Sequence, residues 1–133
     1  MSPITANKVS NKNRFTMLPQ YFGRFAMRAE NYTYDALRNM CPTYQGGYWE
    51  FFELSDKGFY MAPEGHETML IEVLGNGFSG EVSADAAGII ATLCTFNALS
   101  WSTRQDKFIE SFYLLREFAL NHAENGEILA AID

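Results

Sequence analysis

Apolar side chains in the first third of the chain recur at helical spacing. Phe22, Phe25, Ala26, Ala29, Thr33, Ala36, Leu37 and Met40 form one stripe, and Arg24, Arg28, Asp35 and Arg38 lie opposite. The stripe starts near Leu18, with Pro19 in the first turn, where its missing N–H costs nothing. It weakens around residues 31–33, which predicts two helices or one helix with a break there. Pro42 disfavours helical geometry at Cys41 and ends the run. From Tyr48 the period drops to two. Alternation in "YWEFFEL" puts Tyr48, Glu50, Phe52 and Leu54 on one face of a strand and Trp49, Phe51 and Glu53 on the other. Residues 55–58, "SDKG", read as a tight turn with Gly58 at positive φ. "FYMA" returns as a second strand, "MLIEVL" is a third, and "GNG" turns into "FSGEV", a short fourth.

Beyond the strands the helical period resumes. Ser83 is placed to cap a helix and Asp85 falls in its first turn. From Ala84 to Trp101 that helix carries a single charge, which predicts burial in the middle of the domain. Residues 103–106 have the form of a capping box for the next helix, whose stripe is Phe108, Phe112, Leu115 and Ala119, widened by Ile109 and Tyr113. Asn125 and Gly126 are expected to end it with a left-handed cap, and "EILAAID" to dock as an apolar tail. Helices, then strands, then helices describe an α+β fold: a small antiparallel β-meander of three to four strands packed with about four helices in a single domain. Residues 1–16 are polar and basic and read as a flexible N-terminal arm with a short edge strand within residues 4–9. Residues 17–133 form the domain.

Composition narrows the function. Aromatic residues make up 15% of the chain and charged residues only 20%, so a ring-rich core is expected and disorder is not. The net charge of −6 is unevenly spread. Residues 1–38 hold six basic and two acidic side chains, and residues 39–133 hold four basic and fourteen acidic ones. Cys41 and Cys94 lack metal-ligand or redox spacing, the first residues are polar, and the apolar run 86–101 is too short to span a membrane. The expected setting is a reducing cytoplasm with both thiols free.

Chemistry is harder to find. His122 is read as a helix-end histidine favoured by the dipole, and His66 as a solvated loop residue. Two Cys and two His give no zinc set, so no metal and no cofactor are expected. No nucleophile elbow, phosphate loop or metalloprotease motif occurs. "GNGFSG" has the wrong spacing for a phosphate cradle, and a strand follows it. Glu50 and Glu53 lie on opposite strand faces and cannot act as one acid–base pair. Lys8, Lys12, Arg14, Arg24 and Arg28 beside the aromatic sheet permit a nucleic-acid-binding reading, which the acidic sheet region opposes. A DNA mimic would need a denser run of carboxylates than this chain has.

Four stretches carry a resemblance: "LPQYFGRFAMRAE" (18–30), "YQGGYWEFFELSDKGFYMAP" (44–63), "LGNGFSGEVSADAAGIIATL" (74–93) and "LREFALNHAENGEILAAID" (115–133). Together they resemble the ArdB/KlcA family of antirestriction proteins over most of residues 18–133. The sequence departs from the family's usual Asn-Gly-Gly-type turn at Asp56-Lys57-Gly58. The resemblance implies a small α+β protein of bacterial mobile elements that alleviates type I restriction while largely sparing modification. It implies a type I restriction complex as partner, no DNA mimicry, and no catalytic residue to carry over. The expected protein is a non-enzymatic inhibitor without small-molecule substrate or membrane. Tyr48, Trp49, Glu50, Glu53 and Tyr60 are its candidate partner-binding residues, because Tyr and Trp anchor interfaces and carboxylates answer a basic partner. The competing assignment for Trp49 and Phe51 is plain sheet core.

Overall fold

A computed structural model describes residues 3–133. The edge strand β1 (Ala6–Lys8) lies within the basic N-terminal segment, and α1 (Arg14–Phe22) starts there too, four residues before the predicted start. Pro19 therefore sits inside α1 rather than in its first turn. Gly23, at φ 56°, stops α1, and a 3-10 turn over Gly23–Phe25 leads into α2 (Ala26–Met40). The break predicted at residues 31–33 thus falls at Gly23. Thr33 instead stays helical by returning its hydroxyl to the Ala29 carbonyl at 2.8 Å.

The strands β2 (Trp49–Leu54) and β3 (Phe59–Pro63) form an antiparallel hairpin, and β1 adds to its other edge in the order β1-β2-β3. The hairpin turn corrects one expectation. Lys57, at φ 78°, takes the left-handed conformation, and Gly58 does not. Gly58 is there for space: a Cβ would lie 2.9 Å from Leu54 Cδ1 and 3.2 Å from Leu114 Cβ.

Strands β4 (Thr68–Val73) and β5 (Phe78–Ser83) pair only with each other, so the predicted meander splits into two sheets. The reason lies in helix α3 (Ala84–Thr103), which runs along the free edge of β3. The Thr92 hydroxyl accepts from Met61 N at 3.2 Å and donates to the Gly88 carbonyl at 2.8 Å. A Cβ on Gly88 would come within 2.4 Å of the Met61 carbonyl oxygen. A bare helix face thus covers an edge where a fourth strand would otherwise pair.

Ser83 caps α3 as expected, accepting from Ala86 N at 3.1 Å. The capping box at residues 103–106 does not form. Thr103 remains in α3 with its hydroxyl on the Leu99 carbonyl, and Arg104 ends the helix in the left-handed region at φ 59°. Helix α4 (Asp106–Leu120) follows without a side-chain cap. The Asn125-Gly126 stop is also corrected, since these residues open α5 (Asn125–Ile132), whose Ile128 and Ala131 are buried. Asn76 in the β4–β5 turn holds that helix by donating to the Ala130 and Ala131 carbonyls.

Phe22 is the hub of the core. It stacks on Phe96 at 5.2 Å and on Phe108 at 6.1 Å and meets Phe59 edge-on at 6.0 Å, joining α1, α3, α4 and β3. Removing such a ring costs about 3–5 kcal/mol. Among the described residues, no helix is long and apolar enough to cross a membrane.

Candidate partner-binding surface

The five residues singled out in the sequence part company. Alternation along β2 is as read: Trp49 and Phe51 point into the core, and Glu50 shares the opposite face with Phe52. Trp49 is buried, its indole N–H donating to the Tyr44 hydroxyl at 2.7 Å and its ring 5.2 Å from that of Tyr34. Tyr60 is buried as well, between Phe52 at 4.7 Å and Phe118 at 5.7 Å. Neither ring can touch a partner directly in this conformation. Tyr48 is 47% exposed, just ahead of β2. Its hydroxyl donates to Asn11 Oδ1 at 2.9 Å.

The N-terminal segment is built into this region. The Arg14 guanidinium sits 4.4 Å from the Tyr48 ring centroid and 4.3 Å from that of Phe51, and donates to the Trp49 carbonyl at 2.6 Å. Lys8 approaches Glu50 at 3.8 Å. Glu53, on the core-facing side of β2, instead faces Tyr21 of α1. Burial, with Glu53 and Asp56 beside it, pushes the Tyr21 hydroxyl up to about 12. The two carboxylates are therefore separated by the sheet, as alternation requires. Of the basic residues considered for nucleic acid, Arg14 and Lys8 are already engaged, and Arg24 lies over Phe25 at 4.9 Å.

A polar cluster that spacing could not reveal joins β3, α3 and the α4–α5 turn. Tyr60 donates to Asp85 Oδ1 at 2.6 Å, and His122 Nε2 meets Asp85 Oδ2 at 2.9 Å. His122 Nδ1 accepts the Glu124 N–H at 2.9 Å. The Glu124 carboxylate in turn accepts from Ser83 through both its backbone N–H and its hydroxyl. Burial pushes Asp85 up, but the hydrogen bonds from His122 and Tyr60 outweigh it and hold the carboxyl below its ordinary value. The bond to Asp85 raises the His122 pKa against burial, helped by the charges of Asp85 and Glu124. The sequence signals for this cluster were Ser83 as a helix cap and Asp85 in the first turn, neither of which pointed to Tyr60, His122 or Glu124 as partners. The dipole reading of His122 is replaced by these contacts, since the residue lies just past α4.

Both ring nitrogens of His122 are thus occupied, leaving no lone pair for a metal or substrate. His66 is exposed in its loop, 6.4 Å from the Tyr44 ring. Cys41 is buried, and burial pushes the Cys94 thiol up to about 11, which disfavours a reactive thiolate.

The antirestriction protein family matches residues 42–133, more than half of the chain. This chain belongs to that family. Among antirestriction proteins, two KlcA proteins of Escherichia coli are 46% and 44% identical to it. The alignments cover 98% and 99% of this chain and 96% and 95% of theirs. A third relative, the putative antirestriction protein YubI of E. coli K12, is 38% identical over 98% of this chain and 96% of its own. A solved structure matches with a TM-score of 0.89 and 45% identity, over 99% of this chain and 96% of the other. It is described as showing that KlcA and ArdB have a novel fold and act against type I DNA restriction systems in vivo but not in vitro. The resemblance drawn from the four stretches and the α+β reading both hold.

Proposed function

We propose that this protein alleviates DNA restriction by bacterial type I restriction–modification systems. It acts in the cytoplasm as a non-enzymatic inhibitor of the restriction complex, without imitating DNA. The observation that carries this reading is the end-to-end structural match, at 45% identity, to proteins with that activity in cells. Several features support a binding mode over catalysis. The Tyr60–Asp85–His122–Glu124 cluster spends its donors and acceptors on itself. The carboxylates Glu50 and Glu53 are divided between two faces of β2. The acids are too few, against ten bases, for a phosphate-like array.

The contact surface includes Tyr48 and Glu50, which border the docked N-terminal segment, with Glu53 at the opposite side of the strand. Trp49 supports this surface from behind, and Tyr60 lies on the Glu50 face beside Phe52, covered by Phe118. A nucleic-acid reading would draw on the same basic residues, but Arg14 and Lys8 are held by rings and by Glu50 within the fold.

The test is the plating efficiency of unmodified phage on cells with and without a type I system. The protein is expected to raise plating only where the system is present, and equal plating would remove the proposal. Replacing Glu50 and Glu53 by Ala is expected to lower protection while leaving the melting temperature within a few degrees. Full protection by this folded variant would dismiss the β2 surface.

A further inference from the structure

We propose that the trough between the end of α3 and the outer face of α4 docks a basic amphipathic segment of a partner protein. This rests on the reading above, that the protein works by gripping a protein of the restriction machinery, and it names a second, more apolar contact surface.

The trough has a volume of about 380 Å³ and is lined by Asn97, Trp101, Arg104, Ile109 and Tyr113 among others. Its large side chains are unusually bare: Trp101 is 67% exposed, Tyr113 58% and Ile109 45%. The core has no use for them, since Phe108 and Leu115 already fill the inner side of α4. Arg104 holds the left-handed position that ends α3, where glycine is the common choice, and its guanidinium lies 5.7 Å from the Trp101 ring centroid. Trp, Tyr and Arg together are the side chains that most often carry interface energy.

Charge chooses the occupant. Asp106, Glu110 and Glu117 are all exposed and fall on the same stripe of α4 as Tyr113 at helical spacing. A second, strongly apolar hollow continues the trough along Ile109, Tyr113 and Leu114, between Glu110 and Glu117. Lys107 is turned aside, its ammonium 5.1 Å from the Phe108 ring, and Arg116 is half-buried. Arg104 offsets Asp106 where both line the α3 end of the trough, so Glu110 and Glu117 carry the acidic surplus along the apolar track. This face fits a helix that places aliphatic knobs in the trough and lysines or arginines beside the carboxylates. A nucleic acid would bring its phosphates against three acids.

The probe is a labelled amphipathic Leu/Lys helical peptide, followed by fluorescence anisotropy, with a Leu/Glu peptide and a single-stranded oligonucleotide as controls. Saturable binding of Leu/Lys alone is expected, together with a blue shift from Trp101, since the other tryptophan, Trp49, is already buried. Trp101→Ala should weaken binding roughly thirtyfold, the scale of an interface anchor, and Glu110→Lys with Glu117→Lys should abolish it. In cells, the same variants should lose protection against the type I system while their circular dichroism and melting temperature match the parent. Equal binding of the Leu/Glu peptide or of the oligonucleotide overturns the proposal. So does a Trp101 emission that changes on dilution alone, which marks a second copy as occupant, or full protection by the variants where the parent protects. If the parent itself does not protect, the antirestriction reading falls, and the peptide arm decides the trough.

Discussion

Asp85 joins three parts of the chain, accepting from Tyr60 in β3 and His122 beyond α4 while its backbone lies in the first turn of α3. Asp85→Asn keeps the acceptor for Tyr60 but turns an N–H toward His122 Nε2. The imidazole can then accept there only by moving its proton to Nδ1, against the Glu124 N–H. A loss of about 1–2 kcal/mol is expected in urea denaturation, at the low end because solvent reaches the Asp85 carboxylate. The pH dependence has two edges. Asp85, with a lowered pKa, contributes above the ordinary carboxylate value of 3.8 and loses that as pH falls through its folded value. His122, with a raised pKa, contributes below the ordinary imidazole value of 6.5 and loses that as pH rises through its folded value. The deficit of Asp85→Asn against the parent should therefore be widest between these two ordinary values. A deficit that grew steadily above pH 8 would contradict the pairing. Ser83 and Asp85 were legible in the sequence because a helix start is local. The partnership with Tyr60 and His122 was not, because it bridges 25 and 37 residues of chain.

Among the elements, period-two alternation gave β2 its faces correctly, since one side of that strand must be buried. The burial expected for α3 was also legible from its near absence of charge. What the alternation could not say was which strand pairs with which. Gly88 and Thr92 decide that, by bringing a helix backbone against the β3 edge. Thr92→Val preserves the shape of the side chain and removes its oxygen, leaving the Met61 N–H buried without a partner. A cost of about 1–3 kcal/mol is expected in the urea midpoint, and an unchanged midpoint would mean that the edge is satisfied in another way. Helix ends were legible only in part. Ser83 capped as read, while Gly23 and Arg104 terminate helices through left-handed backbone that the apolar stripes do not report. Gly58 misled because a glycine in a turn suggests positive φ, whereas here it avoids Leu54 and Leu114.

At the scale of the molecule, the N-terminal charge is drawn onto the acidic body at Arg14 and Lys8, so the asymmetry of the sequence is partly spent inside the fold. The remaining acids lie on surfaces rather than around a pocket with a free base. Two of the five residues picked from the sequence, Trp49 and Tyr60, went to the core from opposite faces of the hairpin, because Tyr34 and Tyr44 cover one side and Phe118 of α4 covers the other. The bare apolar side chains instead gather at Trp101, Ile109 and Tyr113; the last two were read as widening the packed stripe of α4, but Phe108, Leu115 and Ala119 fill its inner side and leave them exposed. A protein that works by gripping a partner must act in proportion to that partner. Protection of unmodified phage should be measured while expression of this protein is stepped upward in cells holding a fixed amount of type I restriction complex. Protection is predicted to climb in proportion to the protein and to level off once its copies match those of the complex. Full protection at copy numbers far below the complex would contradict the account.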